Sequence, residues 1–96
     1  MVLEDEFNKV LLDKLIQNVL SCLPIIEDIS KEQDAKIKTS LQVNNRRDFI
    51  LGSIWCTVLE KFLVSFYLYT GKTITYEQGL EISEYVLNKL SDLSIK

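Results

Sequence analysis

The chain has 96 residues, one domain's length, and its 47% apolar and 26% charged content belongs to a chain that folds rather than one that stays disordered. A net charge of −3, with acids and bases interspersed, argues against a general polyanion binder, whose affinity comes from Lys and Arg on phosphates. So short a chain buries a smaller share of its surface than a larger domain, so strongly apolar segments must share one tight core or be covered by a partner.

The opening Met-Val-Leu-Glu-Asp-Glu has neither the positive start nor the apolar run of a secretory signal, and a cytoplasmic location is expected. Over residues 3–23 apolar side chains recur at Leu3, Phe7, Val10, Leu11, Leu15, Ile16, Val19, Leu20 and Leu23, which is helical spacing. Glu4, Asp5 and Glu6 suit the positive end of that helix, and Pro24 marks its boundary.

Residues 25–43 are the least determined. Ser30 with Gln33 fits a capping box, and Ile29, Ile37 and Leu41 make a narrow stripe, so a thin-faced helix is predicted, with a mobile connector as the rival. Asn44 and Asn45 supply turn and N-cap chemistry for the next helix, and Asp48 suits its first turn. Fifteen of the 21 residues at 49–69 are apolar or aromatic, while Ser53, Thr57, Glu60 and Lys61 gather within roughly 100° of a helical wheel. That pattern predicts a third helix buried on most sides. A membrane span is disfavoured, because the adjacent charges Glu60 and Lys61 would cost about 2.5 to 3.5 kcal/mol each near mid-bilayer.

Thr70-Gly71 reads as a helix C-terminus, and Thr75 with Gln78 opens the fourth helix. On its wheel Gly79, Leu80, Ile82, Ser83, Val86, Leu87, Leu90 and Leu93 share one half. Glu77, Gln78, Glu81, Glu84, Asn88, Lys89 and Asp92 share the other, with Tyr85 on the charged side. No repeat or linker divides the chain, so residues 1–96 are expected to form a single all-α domain. The predicted architecture is a compact antiparallel four-helix bundle with a buried central third helix, which a second copy would complete.

The absence of histidine removes the commonest general base, the usual nucleophilic triads and the commonest metal ligand. Two cysteines without histidine cannot build a four-ligand zinc site, and Cys22 and Cys56, both set among apolar residues, are expected to be buried free thiols. A disulfide or a reactive thiol is the rival. Glu77, Glu81 and Glu84 share a helix face but read as a solvated exterior, since metal-binding carboxylates in bundles point inward. Thr70-Gly71-Lys72-Thr73 shares the ending of a phosphate-binding loop, but Phe66 holds the place of the earlier glycine and no strand precedes it. The expectation is therefore a non-enzyme with no cofactor and no metal.

Three local anomalies point to partners. Arg46 and Arg47 place two cations at a helix start, against the macrodipole, and call either for neighbouring acids such as Asp48, Glu4 and Asp5 or for an acidic or phosphate-bearing partner. Tyr85 is an aromatic of the kind enriched at interfaces. Gly79 and Ser83, one turn apart, suit close approach of the third helix. These features predict a helical protein–protein interaction module (adaptor, scaffold or inhibitor) that pairs with itself and with another protein. The alternative is a nucleic-acid-binding regulator contacting phosphate through Arg46, Arg47 and Lys72.

Overall fold

Asp5 opens the first helix: its carboxylate accepts the backbone N–H of Phe7, and α1 (Glu6–Ser21) runs from there. A computed structural model describes residues 2–92, which hold five α-helices, a short 3-10 turn at Val2–Glu4 and no strand. Helix α1 turns Asn8, Leu12 and Ile16 inward at successive i,i+4 positions. The predicted apolar face largely holds, since Ile16 is buried and Leu3, Leu11, Leu15, Val19, Leu20 and Leu23 pack against the core, but Leu12, outside the predicted row, is fully enclosed, while Phe7 and Val10 are exposed. Asn8 is buried at no cost to satisfaction, because its amide donates to the Val2 carbonyl at 3.0 Å.

Pro24 does mark a boundary, and it does so from inside the first turn of α2 (Leu23–Glu32), where its missing N–H would have had no helical partner anyway. Gln33 joins α2 to α3 (Asp34–Leu41), so residues 25–43 are helical over most of their length, in two pieces. The Ser30–Gln33 capping box does not form. Ser30 lies buried within α2, donating to the Glu27 carbonyl at 2.8 Å, because the helix had already started six residues earlier around Pro24. The predicted stripe does not form a core face either, since Ile29 and Leu41 are both more than half exposed.

Helix α4 (Arg46–Thr70) starts and stops where its local chemistry dictates. Asn45 Oδ1 accepts the Asp48 N–H at 3.1 Å, and Gly71 takes a left-handed φ of 71° while donating to the Tyr67 carbonyl. Helix α5 (Tyr76–Ser91) opens with a complete capping box in which Thr75 and Gln78 serve each other's backbone N–H at 3.2 and 2.9 Å. Leu93, assigned by pattern to this helix's apolar half, lies outside the described residues.

Ile50, Ile54, Val58 and Phe62 of α4 meet Leu12 and Ile16 of α1, Ile82, Val86 and Leu90 of α5, and Val2 in one core. Helix α4 is central in that it touches α1, α3 and α5. It is not buried on most sides, as its composition predicted. One row at i,i+4 spacing is enclosed, and Leu63, Val64, Tyr67, Leu68 and Tyr69 face outward. Two neighbouring helices cover only part of a helix's circumference, and α2 and α3 contribute a single buried residue, Ser30. The molecule is also not compact: its radius of gyration is 14.9 Å, against about 12.5 Å for a globular chain of this length.

The cysteine expectation fails for the same reason. Cys22 caps α1 at the surface and Cys56 lies on the outer side of α4, so both are free and exposed.

Candidate interaction face

Arg46, the first residue of α4, is held by the peripheral helices. Its Nη1 donates to Ser30 Oγ at 3.0 Å and its Nε lies 3.5 Å from Asp34 Oδ1, while Asp34 Oδ2 pairs with Lys38. The acid that compensates this cation therefore comes from α3, not from Asp48, Glu4 or Asp5. Arg47 is exposed and has no ion-pair partner among the described residues. Lys72 follows α4's C-cap, so the 25 residues of the helix separate it from the two arginines by about 37 Å of axis. One chain does not gather these three cations into one basic face.

Tyr85 is half-buried against the core rather than displayed on the charged side of α5. Its hydroxyl donates to Asp13 Oδ1 across the α1–α5 seam, and Lys89 Nζ sits 5.4 Å from the ring centroid. Burial, then the hydrogen bond to Asp13 and its negative charge, push the phenol up to about 12. Arg46 and Arg47 thus sit together at the start of α4 while Tyr85 lies on the α1–α5 seam, and Arg46 and Tyr85 have internal partners.

Glu81 also departs from expectation. Rather than standing in solvent with Glu77 and Glu84, it accepts the backbone N–H groups of Val2 and Leu3 at 3.1 and 2.9 Å, tying the N-terminal turn to α5. No group of acids, cysteines or histidines among the described residues is arranged to hold a metal.

The small pair on α5 divides. Trp55 Nε1 donates to Ser83 Oγ at 3.0 Å, so α4 is indeed the neighbour on that side. Gly79 does not mediate a close approach, since a Cβ there would meet only Ile74 at 3.9 Å.

The feature that pattern analysis missed is the outer side of the α4–α5 pair. A hollow of about 400 Å³ opens between Leu51, Gly52 and Trp55 of α4 and Leu87 and Leu90 of α5. Along α4 the same side continues through Cys56 and Leu63 to Tyr67, by the wheel positions of a regular helix. On α5 it continues to Leu80, which shares Leu87's face two turns earlier and is 53% exposed. The signal was present as apolar residues all round the wheel of α4. The pattern reads them as buried positions, whereas the fold leaves six of the fifteen exposed. By length and composition α4 would also suffice to cross a membrane, although its inner row is committed to the core. Comparison with protein-family models, with curated proteins and with solved structures finds no match to this chain.

Proposed function

We propose that this chain is a non-catalytic helical interaction module that works as a homodimer, with the outer side of α4 and α5 covered by a second copy. The observation that carries the reading is an excess of surface. A folded monomer of 11.1 kDa is expected to expose about 5,700 Å², whereas this chain exposes 6783 Å². The difference, roughly 1,100 Å², is of the order of the ~800 Å² that each partner hides in a standard interface. Leu63, Tyr67, Leu80 and Leu87 give that surface the apolar centre an interface needs. Pairing across this face would complete an antiparallel helical bundle in which α4 lies inside the assembly.

Gly52 supports the same reading. Helical glycine costs about 1 kcal/mol relative to alanine, and beyond its own helix backbone and chain neighbours nothing among the described residues lies within 4 Å of where a Cβ would be. The open space beside it suits the backbone of an approaching helix.

Sedimentation equilibrium at micromolar concentration tests the proposal. The expected result is twice the chain mass of 11.1 kDa, reduced to the single-chain mass by Leu63→Glu with helicity retained. A monomer at all concentrations removes the dimer. Flotation with vesicles instead of self-association would assign the exposed face to a lipid surface. The nucleic-acid reading loses support from the separation of Arg47 and Lys72. It would be revived by duplex DNA binding whose affinity falls steeply with salt.

A further inference from the structure

A second hollow lies on the opposite flank of α4, where α1, α2 and α4 meet. It is an open groove of about 360 Å³, near the lower end of the range for small-molecule sites. Val19, Ile26, Ile50 and Ile54 supply an aliphatic floor with no aromatic ring. Asn18, Ser53, Thr57 and Lys61 stand around it, and none of these four side chains makes a hydrogen bond or ion pair within the described residues.

The pairing of one cation with an aliphatic floor selects the ligand. Lys61 has no acid at i±3 or i±4 on its own helix, where Thr57, Val58, Val64 and Ser65 stand. An anionic head on Lys61 would gain its only ion-pair partner, with hydrogen bonds available from Ser53, Thr57 and Asn18. A single cation suits a single negative charge rather than a phosphate dianion. The volume suits a tail of about eight to ten carbons, and a flat aromatic body would find no ring to stack on.

We propose that this pocket binds an unbranched medium-chain aliphatic monocarboxylate, tail on the Val19, Ile26, Ile50 and Ile54 floor and carboxylate on Lys61. The site is separate from the dimer face, which lies on the other side of α4. Occupancy and self-association can therefore be measured independently.

The test is a titration of the full chain with hexanoate, octanoate and decanoate below their aggregation limits, read by amide NMR shifts. Decanol and decyltrimethylammonium serve as neutral and cationic comparators. Decanoate is expected to move the signals of Asn18, Ser53, Thr57 and Lys61, with roughly fourfold tighter binding per added methylene until the pocket is full. Lys61→Met should weaken decanoate by roughly fivefold and leave decanol unchanged. Ser53→Phe should occupy the pocket and abolish binding of both, with far-ultraviolet circular dichroism confirming that the helices remain. Equal binding of decyltrimethylammonium, an unaltered affinity in Lys61→Met or Ser53→Phe, or shifts confined to Trp55 and Leu87 would each overturn the assignment.

Discussion

Tyr85 couples stability to alkaline pH through one hydrogen bond. Its phenol is pushed up to about 12 by partial burial, by donation to Asp13 and by the charge of that carboxylate, so the folded state favours the protonated form. Stability from this group is fully present below pH 10, where the unfolded phenol is also protonated, and is lost as pH rises from 10 through about 12. Tyr85→Phe should therefore cost about 1 to 2 kcal/mol at neutral pH, as a hydrogen bond to a charged acceptor does. The variant should also flatten the loss of stability between pH 10 and 12, as measured by urea unfolding across that range. If the profile is as steep as in the parent chain, Tyr85 is not the titrating group. Asn8 makes a parallel case without charge. Asn8→Ala would remove a buried side chain together with its 3.0 Å hydrogen bond to the Val2 carbonyl, and a destabilisation of about 0.5 to 1.5 kcal/mol is expected in thermal or urea melts.

Helix ends were legible because their chemistry is local. Asn45 with Asp48, Gly71, and Thr75 with Gln78 need no tertiary information, and all three sit where the sequence put them. Gly71, at a φ of 71°, should lose about 1 to 2 kcal/mol as alanine, whereas Gly79→Ala should gain up to about 1 kcal/mol, because its Cβ has room. Shifts of opposite sign in the urea midpoint would separate a conformational glycine from a merely tolerated one; destabilisation by Gly79→Ala would show that Ile74, 3.9 Å from the added Cβ, leaves it too little room. Faces were less legible than ends. In α1 the run Val10-Leu11-Leu12 offers several possible inward rows, and only the position of α4 selects Leu12 over Val10. In α4 composition indicates how much could be buried, but the number of neighbouring helices decides how much is. Tyr85 and Glu81 were misplaced because a polar residue on a wheel does not reveal a polar partner on another helix, such as Asp13 or the backbone of Val2 and Leu3. The two hollows flanking α4 could not be read at all, since each is made by residues distant in sequence.

At the scale of the molecule, cohesion is uneven. Helices α1, α4 and α5 supply the enclosed side chains, whereas α2 and α3 hold Ser30 inside and leave Ile25, Ile29 and Leu41 in solvent. The arm is latched to the body largely by Arg46, through Ser30 at 3.0 Å and Asp34 at 3.5 Å, with both charged side chains partly exposed. An ion pair in that setting is worth about 0.2 to 1 kcal/mol, so the arm should open on its own well below the free energy of global unfolding. Hydrogen exchange should show amides of α2 and α3 exchanging through a local opening, while those around Val58, Phe62 and Val86 exchange only on global unfolding. Arg46→Met should speed exchange in the arm several-fold and leave the core amides almost unchanged, because the lost contacts join the arm to the body and not the body to itself. Equal slowing or quickening of both regions would mean that α2 and α3 unfold with the rest. The arm also forms one wall of the hollow that contains Lys61, through Cys22 and Ile26, so a ligand seated there would hold arm and body together. Protection of α2 should then rise with decanoate, linking the least stable part of the fold to occupancy of its pocket.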